Sequence, residues 1–171
     1  MVALAGKAVR PCTTHEEPLP GGDEVPVASE LAAQHGVAEA IAARLVYRHG
    51  SLAREVLRIA DDDPRMKLVV CRDEGIIAAE VAWIARHEKV RRLQDLRRRC
   101  RLAVGGCGGL DCARPAAQVA ARELGWSADQ TRAELADLLE VGWRERRPVL
   151  DGWQLAEEEL LRAVHRGLGG L

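Results

Sequence analysis

Apolar residues recur along most of the chain at spacings of three and four, and polar residues fill the positions between them. Val37, Ile41, Leu45 and Val46 mark an amphipathic helix that stops at His49-Gly50. Leu52, Val56, Leu57 and Ile59 mark a second, opened by Ser51 as its cap and ended by Asp61-Asp62-Asp63-Pro64. A third stripe runs through Ile77, Val81, Ile84 and Ala85, with Trp83 nearby, and a fourth through Ala116, Val119, Ala120 and Leu124 to a stop at Gly125. Ser127-Ala128-Asp129-Gln130 is a capping box opening a long helix through Leu135, Leu138, Leu139 and Trp143, which Pro148 ends. Leu155, Leu160, Leu161 and Val164 form the last helix. Only Lys67-Leu68-Val69-Val70 reads as a strand. Up to about Val27, the prolines and glycines leave no room for a regular element. The pattern predicts an all-α chain with at most one short strand pair.

Composition narrows the class. The chain has 171 residues and a net charge of −1, so it holds one modest core or two small ones and shows no bias toward nucleic acid. It has no phenylalanine and four tryptophans, so alanine and branched aliphatic residues must build the core. No run of eighteen apolar residues occurs, and the first seven residues lack the basic start of a secretory signal, which gives the expectation of a cytoplasmic protein. An odd count of five cysteines argues against a disulfide framework and toward metal or free thiols.

The candidate chemistry lies between Cys71 and Cys112. Cys71-Arg72-Asp73 opens the stretch and Cys107-Gly108-Gly109-Leu110-Asp111-Cys112 closes it. On an extended segment Cys71 and Asp73 would point the same way and grip one ion, and Cys107 and Cys112 would hold another. Gly105, Gly106, Gly108 and Gly109 allow the backbone to approach an anion closely. Cys112 precedes Ala113-Arg114-Pro115, where Pro115 suits a first helical turn, so its thiolate would sit at the positive end of a helix. Spacing alone leaves three readings open: buried core thiols, a [2Fe-2S] cluster, or zinc held by three cysteines and an aspartate.

The other titratable clusters read as structure. Cys12 and His15 lie in a proline-rich arm and are read as linker; the three aspartates lack calcium-loop spacing and are read as a solvated turn; His87-Glu88 has no nucleophile or orienting partner. Arg91, Arg92, Arg97, Arg98, Arg99 and Arg101 are interrupted by Asp95 and lack interleaved aromatics, so packing against an acidic neighbour is the expected role rather than nucleic-acid binding. Cys100 breaks the ligand spacing and reads as a buried or free thiol.

The stretch from Cys71 to Cys112, with Asp95-Leu96-Arg97-Arg98-Arg99-Cys100-Arg101 inside it, resembles the C-terminal region of the flavin-dependent glycerol-3-phosphate dehydrogenases. The likeness is greatest to the large subunit of the anaerobic form, whose tail carries a module like bacterioferritin-associated ferredoxin. Pro11 to Gly22 resembles that family's crossover from flavin domain to helical domain, Tyr47 to Ser51 its Tyr-Gly-Ser turn, His87 to Arg92 a segment of its helical domain, and the closing Gly167-Leu168-Gly169-Gly170-Leu171 its tail. The resemblance implies a [2Fe-2S] ligand set of Cys71, Asp73, Cys107 and Cys112, with Asp73 standing where the family has cysteine.

It also implies a division into an arm (1–27), a helical cap-like segment (28–66), a helix-turn-helix cluster module (67–126) and a helical tail (127–171). The family oxidises glycerol 3-phosphate through FAD and passes electrons toward a quinone. No Gly-x-Gly-x-x-Gly occurs, so FAD is expected only in a partner domain or subunit, and any membrane association through such partners. The implied role is an accessory electron-transfer segment without catalysis of its own. A stand-alone ferredoxin-like carrier and a structural helical domain with an empty site are the alternatives.

Overall fold

The computed structural model describes residues 11–169. Helices make up 66 % of the chain and the one sheet among the described residues has two strands, so the all-α expectation holds. The order is α1 (Ala28–His35), α2 (Glu39–His49), α3 (Ala53–Asp62), β1 (Val69–Cys71), β2 (Ile76–Ile77), α4 (Ala78–His87), α5 (Leu93–Cys100), α6 (Ala113–Leu124), α7 (Ala128–Arg146) and α8 (Gly152–Gly169). Short 3-10 turns follow α2, α3 and α7.

The helix stops fall where the glycines and Pro148 put them. Gly36 and Gly125 take the left-handed conformation, and Ser127 accepts a hydrogen bond from the Gln130 amide at 3.1 Å to open α7. Ser51 departs from its expected role. It lies in the 3-10 turn before α3, and its hydroxyl donates to Asp23 at 2.8 Å rather than capping α3. The aspartate run is neutralised by neighbours: Asp61 faces His35 at 2.6 Å and Lys67 at 3.5 Å, and Asp63 faces Arg65 at 2.9 Å.

One hydrophobic core runs from Leu31 on α1 to Leu138 on α7. At its centre is α4. The stripe Val81, Ile84, Ala85 predicts a one-sided helix, yet every residue from Ala78 to Ala85 is buried. Packing by α3, α5 and α6 covers all faces of this helix, and each large apolar side chain so buried is worth about 1.5–3 kcal/mol.

Inside that apolar helix lies a carboxylate. Glu80 is fully buried and accepts from Arg48 Nε (2.6 Å) and Nη2 (2.7 Å), while His49 Nε2 lies 2.8 Å from the same carboxylate. Burial alone would depress the Arg48 guanidinium, but the hydrogen bonds and charge of Glu80 outweigh it and raise its pKa. Trp83 packs edge-on to His49 at 5.4 Å and stacks on His87 at 4.9 Å, so His87 belongs to this cluster rather than to a pair with Glu88.

The arm up to Val27 has no regular element among its described residues, as expected, but it is pinned. Ser51 N–H donates to the Gly21 carbonyl at 3.0 Å, and a Cβ on Gly50 would stand 1.8 Å from that oxygen. Gly50 also has a φ of 58°, which only glycine adopts without strain.

Glu80→Ala leaves the Arg48 charge buried without its partner and is expected to lower unfolding free energy by about 3–5 kcal/mol in urea titration. Gly50→Ala is expected to release the arm, read as faster amide exchange at Ser51 with the helical circular dichroism retained.

Candidate metal centre

The hairpin β1–β2 delivers Cys71. Its register pairs Val69 with Ile77 and Cys71 with Ile76, with an irregularity between, and Gly75 turns the chain at a φ of 61°. Cys71 is the last residue of β1, and Asp73 sits in the turn beyond it rather than on an extended segment. The strand alternation that would put both side chains on one face therefore does not reach Asp73. The turn supplies something else: the Asp73 and Glu74 amides both donate to the Cys71 sulfur.

Cys112 is the N-terminal cap residue of α6, as the sequence places it, and Pro115 lies in the first turn. Its sulfur hydrogen-bonds that of Cys71 and also accepts from the Ala103 amide. Both sulfurs are buried, whereas Cys107 is half-exposed in the glycine-rich loop and lies near enough to Cys112 to act on its charge. Asp73 lies against the same glycine-rich loop. Its carboxylate packs on Gly105, where a Cβ would stand 2.0 Å from Oδ2, and its charge reaches Cys71. The loop glycine thus makes room for Asp73. The amides on the cysteine sulfurs come from Asp73, Glu74 and Ala103, and the Gly108 amide is spent on the Gly105 carbonyl at 3.0 Å.

Of the four predicted residues, Cys71 and Cys112 meet directly, with Cys107 near Cys112 and Asp73 near Cys71. Among the described residues no three His, Cys, Asp or Glu side chains surround a single-ion position. A two-iron cluster spreads four protein ligands over two irons, and the donor set of three sulfurs and one carboxylate, with amides already directed at two of the sulfurs, fits such an anionic group.

The thiols behave as a coupled pair. The hydrogen bond from Cys112, more than any other influence, lowers the Cys71 pKa to about 6 against burial, while the bond to Cys71 and then burial push Cys112 up. Cys100 stands apart: fully buried, it donates to the Leu96 carbonyl at 3.1 Å, and burial raises its pKa. Cys12 is exposed beside Thr14 and joins no site.

Residues that sequence reading missed lie behind the hairpin. Glu74 Oε2 faces Arg44 (3.4 Å) and Arg101 (3.0 Å), and Arg48 Nη1 donates to the Glu74 carbonyl at 2.9 Å, tying the turn to the buried Glu80 cluster. A carboxylate inside the apolar run from Ile76 to Ala85 was the available signal, since a buried charge requires a partner. The arginine run finds its acidic neighbour within the chain, on α7: Arg92 pairs with Asp137 at 2.9 Å and Arg97 with Glu145 at 2.5 Å, while Arg99 reaches Glu88 at 2.8 Å. Being partly exposed to solvent, such pairs are worth about 0–1 kcal/mol each.

Between about pH 6 and the ordinary thiol value of 9.0, the folded pair holds one proton fewer than the unfolded chain. Stability of the cluster-free protein is therefore expected to rise with pH through that window and to fall above it, where Cys112 and Cys100 keep protons that the unfolded chain loses. Ultraviolet thiolate absorbance is expected to show one buried thiolate appearing near pH 6 and absent in Cys71→Ser.

A family model described as the C-terminal domain of alpha-glycerophosphate oxidase matches residues 12–131. A catalogued relative from Escherichia coli (strain K12), one of the subunits of its anaerobic glycerol-3-phosphate dehydrogenase, is 33 % identical over 162 residues, covering 95 % of this chain and 29 % of that protein. The relative from Haloferax volcanii, likewise of an anaerobic glycerol-3-phosphate dehydrogenase, is 32 % identical over 154 residues, covering 90 % and 25 %. Glycerol-3-phosphate dehydrogenase 2 of Mycobacterium tuberculosis (strain H37Rv) is 33 % identical over 137 residues, covering 77 % and 23 %. The chain spans less than a third of the length of these relatives. No solved structure matches it.

Proposed function

The chain belongs to the family of the C-terminal domain of alpha-glycerophosphate oxidase, and on that ground we propose that it is the accessory, electron-transferring part of a glycerol-3-phosphate dehydrogenase-like system. The observation that carries this reading is the hydrogen bond between the Cys71 and Cys112 sulfurs at the N-terminus of α6, with Cys107 near Cys112 and Asp73 near Cys71. Three sulfurs and one carboxylate suit iron, and a [2Fe-2S] cluster bound there supplies one-electron chemistry. The residues of this chain hold it and set its electrostatics: two amides on Cys71, one on Cys112 and the positive end of α6 all favour negative charge. Asp73 keeps the charge of a thiolate while offering a harder oxygen, which favours the ferric state and lowers the potential.

Oxidation of glycerol 3-phosphate and binding of FAD fall to a partner domain or subunit. The absence of a Gly-x-Gly-x-x-Gly motif and the small share of the relatives' length that this chain covers both support that division. No helix among the described residues is long and apolar enough to cross a membrane. One observation favours the structural alternative: Cys71 and Cys112 are members of the continuous core and hydrogen-bond each other directly.

Anaerobic purification with iron and sulfide analysis separates the two. About two of each per chain are expected. Asp73→Cys is expected to raise the reduction potential and the iron retained in air, and Asp73→Ala to lower iron content. Equal iron in all three proteins removes Asp73 from the ligand set, and none in any of them after anaerobic reconstitution leaves a structural domain. The isolated chain is expected to bind no FAD and to leave glycerol 3-phosphate unoxidised; stoichiometric yellow flavin contradicts that division.

A further inference from the structure

Beside the Cys107–Gly108 loop, α7 and α8 leave a cleft of about 520 Å³, within the range of small-molecule sites. Its apolar wall is Ala136, Leu139, Trp143 and Leu161, and Gly108 closes the end toward the cysteines. Among the described residues, three buried side-chain atoms lack a hydrogen-bond partner, and all three belong to residues lining this cleft: Asp137 Oδ2, Arg162 Nε and His165 Nε2. Such atoms are uncommon, because each left unmatched costs about 1–3 kcal/mol. Asp137 already faces Arg92 as an ion pair at 2.9 Å, so the demand rests on the other two.

Arg162 and His165 stand three residues apart on α8 and so share a face. The Arg162 guanidinium is held from both sides, over the Trp143 ring at 3.9 Å and on Glu140 at 3.0 Å, which leaves Nε–H to seek an acceptor. Burial and then the neighbouring Arg146 lower the His165 pKa, so its imidazole is neutral near pH 7 and its Nε2 can give or take one hydrogen bond. The charges of the cleft are already paired: Arg146 on Glu158, Arg166 on Glu140, Arg162 between Glu140 and Glu159, and Asp137 on Arg92. A charged ligand would find no unpaired charge of opposite sign there, whereas an uncharged one with a flat apolar body meets the Leu139 and Leu161 side.

We propose that the α7–α8 cleft binds a small uncharged aromatic molecule whose carbonyl oxygen accepts from Arg162 Nε and whose second polar group bonds His165 Nε2. The site goes beyond the electron-transfer reading and does not depend on it. Arg146 connects it to the cysteine loop, since its Nη2 stands 3.0 Å from where a Cβ on Gly108 would be.

Calorimetric titration of the purified full chain with 4-hydroxybenzamide tests this, with 4-hydroxybenzoate and 4-hydroxybenzylamine as charged counterparts of the same shape. Saturable binding of one amide per chain is expected, at least tenfold tighter than either charged probe. Arg162→Lys keeps the charge and removes Nε–H; His165→Phe removes the second partner. Each is expected to weaken binding tenfold or more while leaving the melting temperature in place. Should either variant melt early, the His165 ring resonances of the wild-type chain decide, since they must shift on saturation. No saturable binding, equal binding by the charged probes, undiminished binding by well-folded variants, or unmoved His165 resonances each overturns the proposal.

Discussion

The buried carboxylate of Glu80 is the constraint on which the rest of this structure depends. A charge with no solvent exposure persists only if it is matched, and its match comes from Arg48 and His49 at the end of α2. That requirement fixes α2 against α4. Arg48 also donates from Nη1 to the Glu74 carbonyl, which holds the hairpin turn next to Cys71. The ion pair therefore does more than join two helices: it orients the turn whose amides point at the cysteine sulfur.

Along α4 packs α6, whose first turn presents Cys112. Two free cysteines that are forty-one positions apart in the chain end up hydrogen-bonded sulfur to sulfur because the hairpin, through β2, and the start of α6 pack on the same central helix. Their coupling favours a single negative charge on the pair, and the surrounding amides are arranged to receive it. Asp73 adds a second charge at the rim, and Gly105 yields the space for it. A pair of soft donors with backbone amides directed at both sulfurs is the property from which the electron-transfer reading grows.

The C-terminal helices do a different job. Through Asp137 and Glu145, α7 neutralises two arginines from the α5 region, and with α8 it forms a cleft whose charges are held in ion pairs. This layer meets the cysteine loop at Gly108 and Arg146. The loop therefore has a candidate cluster on one side and a cleft with unmatched polar atoms on the other.

Local pattern determined the helices, because periodicity, glycine stops and caps such as Ser127 act within one or two turns and need no distant partner. It also placed Cys112 at a helix start, since Pro115 carries that signal by itself, and it placed Cys71 at the end of a strand. What tertiary structure decided was every matter of charge and access. Ser51 turned to Asp23 because the arm docks there, and α4 was buried on all faces although its stripe spoke for one. His87 was drawn onto Trp83, the arginine run found its partners on α7, and Asp73 fell in a turn rather than on the strand. The physical reason is common to all of these: hydrogen-bond satisfaction and charge neutralisation are settled by groups far apart in the chain, and only the packing of α4 against its neighbours brings those groups within reach of one another.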